Sequence, residues 1–196
     1  MSTLPIDVTP TDTQLAETRA RIAYFGRLLF DRQLTDAAGG NISVRVGNRI
    51  CITPRFAGQQ KQWRIEPEDV LIADLQRNIL QGEGVLSRET HVHFTLLNTY
   101  AAHGTAVVHA HPRNLLVFAA LGKPLPPILE ANRKFGVTPV TPFAPAHSEL
   151  LAQHVVALRP PDLALHLVAD LGLDVERLAR ARQLRENAAQ PRLDVG

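Results

Sequence analysis

Two histidines separated by one residue, His109 and His111 in "VVHAHP", are the residues whose types and spacing most directly predict chemistry in this chain. They end an apolar run, and side chains at positions i and i+2 of a strand lie on the same face. Two imidazoles side by side at a strand end can bind one divalent metal ion, provided that a third ligand joins them. The alternative is a pair of core or turn histidines bonded to the backbone, and the pair alone does not decide between the two.

Two other stretches carry groups that such a site would use. Glu89 in "LSRETHVHF" lies 20 residues before His109, just inside a helix N-terminus that Ser87 can cap. It is either a proton-transferring acid or a carboxylate that complements the helix dipole. In "GGNISVR", two glycines and Asn41 offer backbone N–H groups and an amide near a strand start. They form either an anion cradle or an ordinary turn.

The elements that must position these residues alternate along the chain. Thr11 or Thr13 caps a first helix whose apolar face carries Leu15, Ile22, Phe25 and Leu29. "ISVRV" and "RICIT" predict a hairpin, and the further strands expected are "VLIAD", "TAVVHAH", "VTPVT" and "LALHLVAD". A loop is expected in "PRFAGQQKQWR", and helices are expected in "RETHVHFTLLNTY", "PRNLLVFAAL", "SELLAQHVVAL" and "DVERLARARQLREN". This order favours a layered α/β domain over residues 11–189, with flexible segments at 1–10 and 190–196.

The bulk composition narrows the class of protein. A chain of 196 residues, 45% hydrophobic and 20% charged, suits one globular domain. The single cysteine excludes an internal disulfide and indicates a reducing compartment. A net charge of +2 without a basic run argues against nucleic-acid binding, whereas the pI near 9.0 is compatible with small anionic ligands. With no membrane-spanning apolar stretch and a polar N-terminus unlike a signal peptide, a cytoplasmic location is expected, with no membrane partner.

Four motifs in order, "GGNISVR", "ITP", "LSRE" and "VVHAHP", resemble the class II aldolase/adducin family over about residues 15–185. The resemblance implies a three-layer α/β/α sandwich with a mostly antiparallel central sheet, commonly a homotetramer with active sites between subunits. It also implies Zn²⁺, or another divalent ion such as Mn²⁺, Co²⁺ or Fe²⁺, held by three histidines. His109 and His111 match two of them, and Glu89 matches the catalytic acid/base. His93 matches a histidine one helical turn later and is expected to be structural.

The third histidine is assigned by its offsets from later residues. His166 in "HLVADLGLD" stands six residues before Gly172 and eight before Asp174, as in the family pattern. Leu167, however, occupies the position of an expected glycine, and the preceding connection is shorter than usual. His166 is therefore the candidate third metal ligand. The alternative is that it is a histidine inside a buried strand, bonded to the backbone. His147 is the reserve.

The anion-binding residues depart from the family pattern. Sugar-phosphate members bind phosphate through the "GN" turn, an "ITPSG"-like stretch and two serines before the glutamate. Of the five predicted anion-binding residues, three match this pattern: Asn41, Thr53 and Ser87. The other two, Arg55 and Arg88, stand where the family has small hydroxyl residues. In addition, Phe56 replaces the glycine. Two arginines can bind a carboxylate bidentately, or they can be solvated surface residues. A carboxylate-bearing substrate is therefore expected in preference to a ketose 1-phosphate.

The resemblance implies a metal-dependent lyase acting on a small anionic molecule. The expected reaction is reversible aldol cleavage of a hydroxy-carbonyl compound, sugar-derived or a keto acid, through an enediolate stabilised by the metal, with Glu89 moving the proton. The same arrangement suits decarboxylation of a hydroxylated aromatic acid, dehydration, or epimerisation of a sugar phosphate. A non-catalytic adducin-like domain is the alternative from another class. The presence of His109, His111 and Glu89 favours an enzyme, whereas Leu167 keeps the non-catalytic alternative open.

Overall fold

A five-stranded antiparallel sheet forms the centre of the protein. The computed structural model describes residues 7–102, 105–133 and 136–158. Within this part of the chain the strands are β1 (Asn41–Val46), β2 (Arg49–Ile52), β3 (Leu71–Asp74), β4 (Ile79–Gln81) and β5 (Ala106–His109). Their spatial order is β4-β3-β2-β1-β5, and each neighbouring pair is antiparallel.

Six helices and one 3₁₀ turn accompany the sheet in the described residues. They are α1 (Asp12–Asp31), α2 (Ala57–Lys61), the 3₁₀ turn Pro67–Asp69, α3 (Thr90–Thr99), α4 (Arg113–Ala120), α5 (Glu130–Arg133) and α6 (Glu149–Ala157). None of them has both the length and the apolar character needed to cross a lipid bilayer.

The two faces of the sheet bury different residues, because side chains alternate along each strand. One face packs Ile42, Cys51 and Ile72 against α1 through Leu15 and Ile22. The opposite face belongs to a second core, formed with α3, whose buried members are Ile50, Ile52, Leu71, Ala73, Phe94 and Leu97. Helix α6 packs on the outer side of α3. The α/β sandwich with helices on both faces of an antiparallel sheet confirms the fold class expected from the sequence.

Helix α1 begins where the sequence predicted, but its buried face is rotated. Thr11 is the N-cap, and it exchanges hydrogen bonds with Gln14 in a capping box. Leu15 and Ile22 are buried, whereas Phe25 is 45% exposed, so its assignment to the apolar face was wrong. The buried stripe passes through Gly26 instead. The Trp63 indole packs directly on this glycine, so closely that a Cβ there would lie 2.7 Å from Cε3 of the ring. The close approach of this ring selects which side of the helix faces the core.

Other elements differ from the expectations in ways that backbone geometry explains. The segment expected as a loop at 54–64 contains α2, which Phe56 precedes with a left-handed φ of 68°. Strand β4 was not predicted, since all three of its residues are exposed and carry no apolar alternation. The strand expected in "VTPVT" is reduced to one bridge between Leu125 and Thr138. The strand "LALHLVAD", the helix after it and the 190–196 tail lie outside the described residues.

Candidate metal centre and active site

One end of the β1–β5 ladder and the N-terminus of α3 bring the predicted site residues together. Asn41, the first residue of β1, is paired directly with His109, the last residue of β5. The Asn41 Nδ2 group donates a hydrogen bond of 2.6 Å to Oγ of Ser87, in the segment that leads into α3. Glu89 follows as the N-cap of α3 and is only 4% exposed. Helix α3 therefore begins at Thr90, later than the sequence suggested, and Glu89 precedes its first turn.

The two histidines of the H-x-H pair face each other through the same ring atom. Nε2 of His109 and Nε2 of His111 lie 3.2 Å apart, with the ring planes inclined by 64°. Two nitrogens each about 2.0–2.1 Å from one tetrahedral zinc ion lie roughly 3.3 Å from each other. The spacing of the pair therefore fits two ligands of a single metal ion.

The strand that carries this pair is shorter than predicted. β5 ends at His109, and His111 lies beyond it, so the expectation of one strand through both histidines was wrong. The reason is the length of the neighbouring strand: β1 begins at Asn41, opposite His109, and offers no residue for further pairing. His111 reaches the same place from a segment that leaves the sheet and enters α4 at Pro112.

The turn before β1 holds the ring of His111 in a defined slot. The ring occupies the space where a Cβ at position 39 would be, so a larger residue there would push the ring out of its position. Nδ1 of His111 lies 3.5 Å from Oδ2 of Asp36, an acid in the same turn. Sequence reasoning missed Asp36. The local sequence around Asp36 indicates only that this acid can bond the backbone of its own turn. The contact between Asp36 and His111 spans 75 residues of chain, and no local pattern predicts it.

His93 lies behind the site as a buried, neutral group. Its Nδ1 is 2.6 Å from Oγ of Ser43, which joins α3 to β1. The ring is fully buried, and this burial, followed by the nearby charge of His109, lowers the pKa of His93 from 6.5 to about 3. These contacts agree with the structural role expected for His93.

The part of the chain that the structure describes brings no third candidate ligand to the histidine pair. His166 lies outside the described residues. His147 precedes α6 with a left-handed φ of 69°. No group of three or more His, Cys, Asp or Glu side chains arranged to bind a metal occurs among residues 7–102, 105–133 and 136–158, so His147 does not join the pair there.

Two predicted anion-binding residues, Thr53 and Asn41, lie at the start of strand β1. Thr53 is fully buried, and its hydroxyl accepts a hydrogen bond of 3.1 Å from the N–H of Ile42. Asn41 is 5% exposed, and its Oδ1 is buried without a hydrogen-bond partner among the described residues. An unsatisfied buried acceptor costs stability unless a ligand or water donates a hydrogen bond to it, so the free Oδ1 of Asn41 suits a donor rather than an anion.

The two arginines differ in their surroundings. The Arg55 guanidinium lies 4.8 Å from the centre of the Phe56 ring, and its buried Nε has no hydrogen-bond partner in the described part of the chain. The N–H of Arg55 donates to the carbonyl of Val85, which brings Arg55 next to the segment leading to Ser87. Arg88 is exposed. Of the two, Arg55 has the environment of a binding residue.

Comparison with known proteins gives the same family as the motifs. The model of the Class II Aldolase and Adducin N-terminal domain matches residues 20–173. The chain is 32% identical to an L-fuculose phosphate aldolase of Methanococcus maripaludis over 167 residues, 84% of this chain and 89% of the relative. It is 30% identical to a methylthioribulose-1-phosphate dehydratase of Marinobacter nauticus, over 56% of this chain and 51% of the relative.

The fold is shared with solved structures as well. The crystal structure of an L-fuculose-1-phosphate aldolase from Thermus thermophilus superposes with a TM-score of 0.59 at 24% identity, covering 92% of this chain and all of that chain. Proteins of this family generally depend on a divalent metal, and the facing histidines provide two nitrogen ligands of the kind such an ion binds. The chain belongs to the class II aldolase and adducin family.

Proposed function

We propose that this protein is a divalent-metal-dependent lyase that reversibly cleaves the aldol bond of a small, anionic hydroxy-carbonyl compound. The observation that carries the proposal is the facing pair of Nε2 atoms of His109 and His111, 3.2 Å apart. The buried acid Glu89 lies at the same end of the sheet. The similarity to aldolases and a dehydratase supports an enzyme over a non-catalytic adducin-like domain.

His109 and His111 would hold the metal, with His166 proposed as the third ligand. A bound divalent ion supplies a Lewis acid that stabilises negative charge on substrate oxygens when a C–C or C–H bond breaks. His111 is half-buried between Gly39 and Asp36, and His109 is fixed by its place in the ladder, so both rings are oriented before any ligand arrives. Such pre-organisation lowers the cost of binding.

Glu89 is proposed to move the proton. Its carboxyl group is almost completely buried and sits at the N-terminus of α3, where backbone N–H groups favour a negative charge. In the cleavage direction it accepts the proton of the substrate hydroxyl, and in the reverse direction it returns that proton to the new alkoxide. General acid–base catalysis of this kind contributes about 10²–10⁴-fold to the rate.

The substrate is proposed to carry a carboxylate. The unpartnered Nε of Arg55 is a donor available to a carboxylate near the end of the sheet, whereas the free Oδ1 of Asn41 can accept a hydrogen bond from a substrate hydroxyl. Ser87 bonds the Nδ2 group of Asn41 and the N–H of Glu89. Phe56 keeps the left-handed backbone that a glycine would adopt, but its side chain blocks the close approach to the backbone that a phosphate needs. Thr53, being buried, supports this region through Ile42, and Arg88 contributes charge from the surface.

A sugar-phosphate lyase is the second candidate, because the chain is 32% identical to an L-fuculose phosphate aldolase over 84% of its length. Decarboxylation of a hydroxylated aromatic acid, sugar-phosphate epimerisation and dehydration use the same metal and acid, and they remain alternatives for the reaction. We propose that the enzyme works as a cytoplasmic homotetramer.

The metal is tested first, by elemental analysis of the purified protein beside His109→Ala, His111→Ala and His166→Ala variants. About one divalent ion per chain is expected, lost in all three variants. His154→Ala is the matched control, because the ring of His154, on α6, bonds the carbonyl of Pro142 and its removal should leave the ion in place. A native protein that binds no metal, even after reconstitution, contradicts the lyase proposal.

The metal-loaded protein is then assayed against keto-acid aldols, hydroxylated aromatic acids and ketose 1-phosphates. Glu89→Gln should retain the metal and lose about 10²-fold or more in kcat. Arg55→Gln should raise KM for carboxylate substrates with less change in kcat, since a binding contact is removed. Efficient cleavage of phosphorylated ketoses by a protein that does not bind acids would refute the carboxylate assignment.

A further inference from the structure

We infer that Asp36 is a positioning residue for His111, fixing the ring tautomer that presents an unprotonated Nε2 toward His109. Asp36 lies outside every motif that identified the family, in the turn that precedes β1. The inference about the tautomer stands on the geometry of the chain itself. Its consequence for metal binding rests on the proposed function.

The carboxylate of Asp36 is held by its own turn. Its Oδ1 accepts hydrogen bonds from the N–H groups of Ala38, at 2.8 Å, and Gly39, at 2.9 Å. The carbonyl of Asp36 accepts a further hydrogen bond, at 3.0 Å, from Nε1 of Trp63, which is 1% exposed. With the backbone and one carboxylate oxygen fixed, the second oxygen, Oδ2, is aimed at Nδ1 of His111.

The slot that receives His111 leaves the ring little choice of position. The ring lies where the Cβ of residue 39 would be, and the neighbouring Gly40 has a φ of +92° that favours glycine. A Cβ at Gly40 would lie 3.1 Å from the carbonyl of His109. Two consecutive glycines thus let the turn approach both histidines closely, with Asp36 on one side of the His111 ring and His109 on the other.

The chemistry of a neutral imidazole then decides the tautomer. One ring nitrogen carries the hydrogen and the other carries the lone pair, whereas an ionised carboxylate only accepts hydrogen bonds. Facing Oδ2 of Asp36, Nδ1 is the nitrogen that holds the hydrogen, so Nε2 keeps its lone pair. Nε2 is also the atom that lies 3.2 Å from Nε2 of His109. Replacing a carboxylate that orients a ligating histidine in this way typically lowers metal affinity by about 10–100-fold.

Asp36→Asn tests the inference with little disturbance of the turn. The amide oxygen of asparagine accepts the same two backbone hydrogen bonds, since Asn suits this kind of turn as well as Asp does. The NH₂ group then faces Nδ1 and donates to it, which favours the opposite tautomer with the hydrogen on Nε2. Asp31→Asn is the matched control, because Asp31 has a similarly exposed side chain and pairs with Arg27 away from the site.

Two measurements are made on the folded full-length chain. Long-range ¹H–¹⁵N NMR of the metal-free protein should show the His111 hydrogen on Nδ1 in the native chain and in Asp31→Asn, and on Nε2 in Asp36→Asn. Titration with Zn²⁺ or Co²⁺ alone, against a competing chelator, should give an affinity about 10–100-fold lower for Asp36→Asn only.

An unchanged His111 tautomer in Asp36→Asn overturns the inference, whatever the affinity. A changed tautomer with native affinity overturns it too, in a protein that binds the ion. A native chain that binds no metal instead contradicts the proposed function, and the NMR measurement then decides the inference by itself.

Discussion

At the scale of single residues, His93 shows how burial assigns different roles to similar side chains. His109 and His111 are only partly buried and face each other, whereas His93, on the same side of the sheet, is fully enclosed and bonded to Ser43. An imidazole enclosed in this way stays neutral, because the charged form would lose its hydration. A neutral ring behind the histidine pair would add no repulsion toward a bound cation.

The lowered pKa of His93 predicts an acid-sensitive stability. Its folded-state pKa of about 3 lies below the unfolded value of 6.5, so the unfolded state binds more protons between these limits. The free energy of unfolding should therefore fall as the pH drops from about 6.5 toward 3, by up to about 1.4 kcal/mol per pH unit. Urea denaturation of metal-free protein at pH 7, 6 and 5 measures this slope.

The matched variant is His93→Gln, which keeps a polar partner for Ser43 and does not titrate. Its stability should decline less steeply over the same pH range, even if it is less stable at pH 7. Equal slopes for the two proteins would show that His93 does not titrate as its burial requires.

At the scale of elements, the turn that leads into β1 decides whether the facing pair of His109 and His111 can form. Gly39 and Gly40 join α1 to the sheet and at the same time make room for the two histidines that β5 delivers. The turn and the strand end come from opposite halves of the described chain. Their fit therefore depends on the β1–β5 register, in which Asn41 lies opposite His109.

We expect Gly39→Ala to weaken metal binding without unfolding the protein. The added methyl group enters the space of the His111 ring, which can swing aside because it is only partly buried. Metal affinity should fall by about tenfold or more. Gly122→Ala is the matched comparison, because it should strain the backbone without touching the site. At φ +61° the alanine costs roughly 1–2 kcal/mol of backbone strain, and nothing lies within 4 Å of the new Cβ.

Isothermal titration with Zn²⁺ and thermal melting compare the two variants. Gly39→Ala should lose affinity with little change in Tm, and Gly122→Ala should lose Tm with native affinity. Native affinity in Gly39→Ala would mean that the ring slot does not matter for binding.

Local patterns predicted the elements whose information is local. The start of α1 at Thr11, one of the two caps that the sequence offered, the β1–β2 hairpin and the helix in "SELLAQHVVAL" were all visible in short stretches. The segment around α2 was not, because Phe56, Gln62 and Trp63 adopt left-handed backbone angles that their residue types do not suggest. Trp63 packs against Gly26 and bonds the carbonyl of Asp36, and contacts of this range are not contained in the local propensity of the segment.

The candidate site divides in the same way. His109, His111 and Glu89 stand in recognisable motifs, and the family similarity supports the chemistry assigned to them. The hydrogen bonds that hold the site together, from Asn41 to Ser87 and from Ser43 to His93, cross 46 and 50 residues of chain. Contacts of that range follow from the packing of α3 on the sheet and could be read only from the structure.

At the scale of the whole molecule, three layers bring residues from four separate stretches to one end of the sheet. For the homotetramer proposed above, we propose that one apolar segment forms a contact between copies. The Leu125–Thr138 bridge closes a loop that exposes Ile128 by 77% and Leu129 by 65%. Large apolar side chains exposed next to each other commonly mark an interface.

We expect sedimentation velocity to give a mass four times that of the 21.6 kDa chain. Ile128→Ser should shift the population toward smaller species, because it removes apolar surface from the expected contact. Gln60→Ser is the comparison and should leave the population unchanged, since Gln60 is exposed on α2 and its replacement removes no apolar surface. A native protein that sediments as a monomer at micromolar concentration would contradict the tetramer.

Trp63 has a consequence for spectroscopy. It is the single tryptophan of the chain, it is 1% exposed, and its indole N–H bonds the carbonyl of Asp36 in the turn beneath His111. The indole also lies against the position of Gly40. Tryptophan fluorescence from this protein therefore comes from one fluorophore, placed where the turn meets the candidate metal pair. Any ligand that displaces this turn changes the emission directly, without a label.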